Sequence, residues 1–198
     1  MAGNIIREIL PVIKDRGTRL EKMDTISVIG DNIQVRENRK NRHVTIFRPG
    51  DILSDWKRCG RLADRLSGIY TSREEDLLKY TACTTIINEI IENSVKYTCD
   101  NMSPVALTTF MQGKNLLIKI SNIVSEEMLR KFMGICREIY SSDLDGLMTE
   151  RLSSIKTEQN SGLIGLIMLK KNFNTDLNFT FSRKRDSYQV TILVSIEL

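Results

Sequence analysis

Two pairs of short alternating runs, each closed by a tight polar turn, constrain this 198-residue chain more than any other feature. Residues 105–111 and 116–122 flank Gln112-Gly113-Lys114-Asn115, and residues 176–183 and 188–196 flank Lys184-Arg185-Asp186. Alternation with a period of two puts every second side chain on one face, and turns this short permit only antiparallel pairing. Between and before these hairpins the apolar period lengthens to that of helices. Asp51 is placed to cap a helix carrying Leu53, Trp56, Leu62, Leu66 and Ile69, and a longer helix is expected over 73–97. Others follow over 125–140, 143–156 and 163–171, the last after a polar turn at Gln159-Asn160-Ser161-Gly162. From residue 51 the order is therefore helix, helix, hairpin, three helices, strand, strand. That order predicts an α+β sandwich: an antiparallel or mixed sheet with helices on one face.

Upstream, an N-terminal helical stretch over 4–22 meets Pro11, and strands are expected over 25–36, with a turn at Gly30-Asp31-Asn32, and over 42–47. We divide the chain into an N-terminal extension, 1–50, and a main domain, 51–198. Hydrophobic residues make up 41% of the chain, enough for a packed core. The longest uncharged apolar run is nine residues, 161–169, well short of the roughly 20 a membrane helix needs. Charged residues interrupt the N-terminal stretch, so it does not read as a secretory signal, and a soluble cytoplasmic protein is expected.

Cys59, Cys83, Cys99 and Cys136 contain no CxxC pair, and the only histidine is His43. That set suits reduced, mostly buried thiols better than zinc, and it leaves little room for a histidine-based triad. The formal charge of +4 is concentrated early, where Arg36, Arg39, Lys40, Arg42 and Arg48 face only Glu37. Such a cluster suits a solvated loop or, as a weaker reading, contact with nucleic acid. No aromatic residue interleaves with it to stack on bases.

The informative helix is TACTTIINEIIENSVKYT, residues 81–98. At 100° per residue Thr85, Glu89, Glu92, Asn93 and Lys96 share one face, opposite a stripe of Thr84, Ile87, Ile91 and Val95. Asn is a poor mid-helix residue because its amide competes for backbone hydrogen bonds, so Asn88 and Asn93 ask for a reason. A carboxylate and a carboxamide one turn apart supply one: an amide oxygen can ligate magnesium, and a carboxylate can take a proton.

Glu89-Ile90-Ile91-Glu92-Asn93-Ser94-Val95-Lys96-Tyr97 resembles the N-box of the GHKL ATP-binding proteins, which have the Bergerat fold. The resemblance implies that Asn93 is a magnesium ligand, Lys96 a phosphate contact and Glu89 the general base, as in the ATPase and serine-kinase branches. Ser161-Gly162-Leu163-Ile164-Gly165 resembles the family's G2 box, a glycine-rich turn that opens a helix and presents free N–H groups to phosphates. The segment between the hairpin and that turn, 125–160, would then be the mobile lid. Where the family carries an Asp-x-Gly-x-Gly G1 box, this chain has Ser121-Asn122-Ile123-Val124, without either glycine; the resemblance puts Asn122 in the adenine-recognising position.

Phe47-Arg48-Pro49, Trp56-Lys57-Arg58, the N-box, Asn122, Ser142-Asp143-Leu144 and the SGL turn run in the same order as in a family of bacterial GHKL-like regulators. These are encoded beside response regulators and STAS-type proteins. The resemblance covers about residues 45–198. It implies an ATP- and Mg2+-binding regulator, kinase-like towards serine or threonine of a STAS-type, sigma-factor-related or response-regulator partner, and a homodimer. The alternative is a GHKL fold that has lost its nucleotide and acts as a protein-interaction module.

Overall fold

All the alternating runs join one sheet in the computed structural model, which describes residues 24–36, 42–153, 161–184 and 187–198. The strands are β1 (Asp24–Gly30), β2 (Arg42–Phe47), β3 (Val105–Gln112), β4 (Asn115–Val124), β5 (Asp176–Lys184) and β6 (Ser187–Glu197). They lie in the order β1-β5-β6-β4-β3-β2, and every neighbouring pair is antiparallel. The two expected hairpins are β3–β4 and β5–β6, and the β4–β6 pairing fuses them into the centre of the sheet.

Register sorts the side chains cleanly. Thr109 opposes Ile118, Ile118 opposes Val194 and Leu177 opposes Val194, so Ile118, Val194 and Leu177 stand on the face that the helices cover. The opposite face carries Phe110, Leu117 and Leu193, which form a small second cluster.

That second cluster explains a difference from the sequence expectation. A strand was expected through residue 36, but β1 stops at Gly30. β1 and β2 are the two edges of the sheet, roughly 24 Å apart at about 4.8 Å per strand, so their connection has to cross. Gly30 turns the chain with φ 125°, and a side chain there would collide with the Leu177 carbonyl. Residues 31–36 then run over the sheet, where Ile33 and Val35 cover Phe110, Leu117 and Leu193. The Arg36 N–H donates to Gln112 Oε1 at 2.6 Å.

The helices are α1 (Pro49–Ser54), α2 (Lys57–Ser67), α3 (Leu77–Lys96), α4 (Glu126–Ser141), α5 (Leu144–Ser153) and α6 (Ser161–Asn172). The helix expected to start at Asp51 starts instead at Pro49, whose fixed φ suits the first helical turn. It breaks at Asp55, where the backbone is extended and the carboxylate accepts the Lys57 N–H at 3.1 Å to restart the chain as α2. α3 begins at Leu77 rather than 73 because the Asp76 carboxylate caps it, accepting from the Lys79 N–H at 3.0 Å.

α4 is core rather than lid. It buries Leu129, Phe132, Ile135, Cys136 and Ile139, with the Phe132 ring 5.0 Å from Tyr97, 5.7 Å from Phe179 and 6.2 Å from Phe181. α5 is pinned to α4 by Arg151 and Glu138 at 2.6 Å, and to α6 by an ion pair between Lys171 and Asp145. So most of the stretch expected to move is fixed by apolar burial and ion pairs. The expected helix over 4–22, the basic residues Arg39 and Lys40, and the turn residues Gln159, Asn160, Arg185 and Asp186 lie outside the described residues. Among the described residues no helix is long and apolar enough to cross a membrane.

Candidate functional site

α3 is enclosed on most sides. Cys83, Ile86, Ile87, Ile90, Ile91, Asn93, Ser94 and Val95 are all buried, because the helix packs on β4, α2 and α6 together. The polar face read as Thr85, Glu89, Glu92, Asn93 and Lys96 is therefore only partly solvated, and its members have different fates.

Asn93 is 1% exposed. Its Nδ2 donates to the Glu89 carbonyl one turn back at 2.8 Å. Its Oδ1 is buried and has no hydrogen-bond partner among the described residues. A buried amide oxygen left in that state costs about 1–3 kcal/mol of desolvation unless a water, ion or ligand meets it, and Thr84 Oγ1 on the same helix is also without a partner among the described residues.

Glu89 stands one turn earlier, half-buried, against Gly165 of α6. A methyl group at position 165 would collide with Glu89 Oε2 and come within 2.8 Å of its Cδ. Burial, reinforced by the negative charge of Glu92, raises the Glu89 carboxyl above its usual range, while Lys96 pulls the other way. A carboxylate whose proton affinity is raised by partial burial and a neighbouring negative charge suits proton transfer.

Glu92 organises the solvent side of the same helix. Asn88 Nδ2 donates to one of its oxygens at 2.7 Å and Lys96 Nζ to the other at 3.1 Å. Lys96, expected to hold phosphates, thus rests on a carboxylate from which an anion would have to draw it. The ladder 88–92–96 is spaced by fours, and that spacing was legible in the sequence although the pairing went unassigned. Behind it lies Cys59 of α2. Its thiol contacts the Asn88 carbonyl at 3.6 Å and is pushed up to about 12 by burial and by Glu92 and Glu89. That thiol is inert.

Asn122 lies inside β4, which continues two residues beyond it, and is 5% exposed. Its Nδ2 donates to the Ser94 carbonyl of α3 at 3.3 Å, tying sheet to helix. Where the family's glycines would follow, Ser125 instead caps α4, accepting from the Met128 N–H at 3.2 Å. Ser161, Gly162 and Leu163 form the start of α6, so the helix begins two residues before the expected boundary. The side chains of these three lie outside the described ones. Gly165 is brought to Glu89, and Asn122 is brought to the next turn of α3.

Of the other residues singled out, His43 stands in β2 with its ring 5.8 Å from Tyr70 in an edge-to-face contact. Cys59, Cys83 and Cys136 are buried and Cys99 is exposed. Among the described residues no three His, Cys, Asp or Glu side chains gather as a metal cage. A magnesium site here would rest on one amide oxygen, with waters and phosphate oxygens completing the shell; Asn93 Oδ1 is a donor of the right type, and being buried it would have to be uncovered to meet that shell.

One cluster escaped the sequence reading. Asp31 Oδ2 accepts from Lys170 Nζ at 2.6 Å, Tyr140 OH at 2.7 Å and the Leu177 N–H at 2.8 Å. It joins the end of β1 to α4, α6 and β5. Its members are 109 to 146 residues from Asp31 in the chain, and no local pattern announces them.

No family model and no curated protein matches the chain. Among solved structures, a chain of the crystal structure of the SiaB-SiaC complex from Pseudomonas aeruginosa aligns with a TM-score of 0.56 and 12% identity, over 77% of this chain and 89% of that one. At that identity the likeness is one of fold.

Proposed function

We propose that this protein is a GHKL-type regulator of a partner protein, with a Mg-ATP site built on α3 and closed by the start of α6. The observation that carries the reading is the pair formed by the orphaned Asn93 Oδ1 and the half-buried Glu89 carboxylate one turn away. In this reading Asn93 holds magnesium through Oδ1, and Lys96 leaves Glu92 for phosphate oxygens. Ser161, Gly162 and Leu163 offer backbone N–H groups at a helix N-terminus. Bound Mg-ATP would supply the transferable phosphoryl group and neutralise its charge. Glu89 accepts the proton that a serine or threonine hydroxyl of the partner gives up, or that water gives up when the chain is alone with Mg-ATP.

A partner of STAS type, a sigma factor or a response regulator suits the regulator reading. So does the likeness in fold to a chain from a complex of two proteins. The test is calorimetry with Mg-ATP. The wild type should bind at millimolar nucleotide or tighter, and Asn93→Ala should lose that binding. A wild type that stays silent at millimolar nucleotide sinks the reading.

A second reading, an interaction module without nucleotide, is favoured by one observation. Asn122 gives its amide to the Ser94 carbonyl, and a helix cap occupies the place of the G1 glycines. There, Glu89→Ala and Asn93→Ala would both leave partner binding intact.

A further inference from the structure

We infer that Gly165 is a positioning residue for Glu89: by having no side chain it forms the seat that fixes the carboxylate between α3 and α6. The inference rests on the reading of Glu89 as proton acceptor, and it moves Gly165 from the nucleotide, where the resemblance put it, to the base.

The argument begins with an anomaly of composition. Gly in a helix interior costs about 1 kcal/mol relative to Ala, and Gly165 sits in the second turn of α6, buried, with no left-handed φ to require it. Close approach is the remaining reason, and the Glu89 carboxylate is what approaches. Other helical glycines differ: a Cβ at Gly60 or Gly134 would meet nothing within 4 Å.

The far side of the seat is rigid. Leu166, Ile167 and Leu169 are fully buried. Lys170, at the end of the same helix, is held by Asp31 at 2.6 Å and by the Thr175 carbonyl at 3.2 Å, and Thr175 Oγ1 donates to the Leu169 carbonyl at 3.0 Å. α6 is thus anchored and cannot withdraw from an added methyl group. The carboxylate, being the loose end of a flexible side chain, moves instead.

Gly165→Ala therefore separates fold from position. Its midpoint of thermal unfolding should stay within about 3 °C of the wild type, because the gain in helix propensity offsets the displaced side chain. The 13C resonance of the Glu89 carboxyl, assigned by its disappearance in Glu89→Gln, should shift in Gly165→Ala and not in the control Gly134→Ala. Mg-ATP affinity should remain within about threefold, whereas Mg-ATP hydrolysis by the full chain should fall at least tenfold, towards the level of Glu89→Gln. Adding Glu89→Asp, which draws the carboxylate back by one methylene, should restore part of that rate.

An unmoved Glu89 resonance, or hydrolysis at the wild-type rate in Gly165→Ala, overturns the inference. If the resonance moves while the wild type binds no Mg-ATP, the seat stands as packing, and the role of Glu89 as base falls with the proposed function.

Discussion

Two carboxylates lie beside α6 and are treated in opposite ways. Asp31, near its C-terminal end, accepts from an ammonium, a phenol and a backbone N–H. Burial acts to raise its pKa, but the bonds from Lys170, Leu177 and Tyr140 outweigh it and hold the group below its ordinary value. Glu89, nearer the start of α6, is pressed against a glycine, and burial and Glu92 raise it. The first is satisfied and ties four elements together. The second is desolvated, and its neighbour Asn93 keeps an orphaned oxygen. The same fold thus stabilises the charged form of one half-buried acid and disfavours that of the other.

The comparison breaks most visibly at Asp31. Asp31→Asn removes the charge that pairs Lys170 and leaves that ammonium half-buried without its counterion. The expected loss is about 2–3 kcal/mol, or roughly 6–9 °C in the thermal midpoint by calorimetry. An unchanged midpoint would show the network to be incidental.

Acid should act on the same group. The folded pKa of Asp31 lies below its ordinary 3.8, so its contribution is fully present above that value and is lost as pH falls through the folded one. Denaturant titrations below about pH 4 should show wild-type stability falling more steeply than that of Asp31→Asn, with the two curves converging in strong acid. Parallel curves would contradict the assignment.

Asn93→Ala should behave differently. It gives up one bond to the Glu89 carbonyl, but it also removes an unsatisfied buried acceptor and a poor helix former. Chemical denaturation should then place it within about 1 kcal/mol of the wild type, while the proposed Mg-ATP binding should be lost. A cost of several kcal/mol would make Asn93 a structural residue.

Smallest is Glu89→Gln. A carboxyl whose folded pKa is raised contributes stability below its ordinary 4.5 and loses it as pH rises through the folded value. At pH 7 the neutral amide should thus raise the midpoint by about 1–2 °C. A drop of several degrees would show that the charge is satisfied after all.

The elements that could be read in the chain were those with a local cause. Both hairpins follow from alternation and short polar turns, and Gly113 takes the positive φ of 64° that its turn requires. α3 follows from its period, although its start was placed four residues early because the cap at Asp76 competes with the charged residues before it. Glu89, Asn93 and Lys96 could be named because helical spacing alone puts them on one face. Glu92 as the common partner of Asn88 and Lys96 was one step of the same logic further.

What could not be read involved distance. The crossing of residues 31–36 depends on β1 and β2 lying at opposite edges, and strand order is a property of the whole sheet. α4 looks like any amphipathic helix, and only the aromatic cluster of Tyr97, Phe132, Phe179 and Phe181 makes it core instead of lid.

The amino-acid order by itself determined which residues are helical or extended, which sides of them are apolar, and that an acid and an amide face one way on α3. These are consequences of backbone sterics and of side-chain period, which act over a few residues. Tertiary structure decided that the amide oxygen is buried without a partner, that the acid rests on a glycine 76 positions later, and that Asp31 anchors the helix carrying that glycine. Desolvation and close approach exist only between segments that have already packed, so no stretch of sequence contains them.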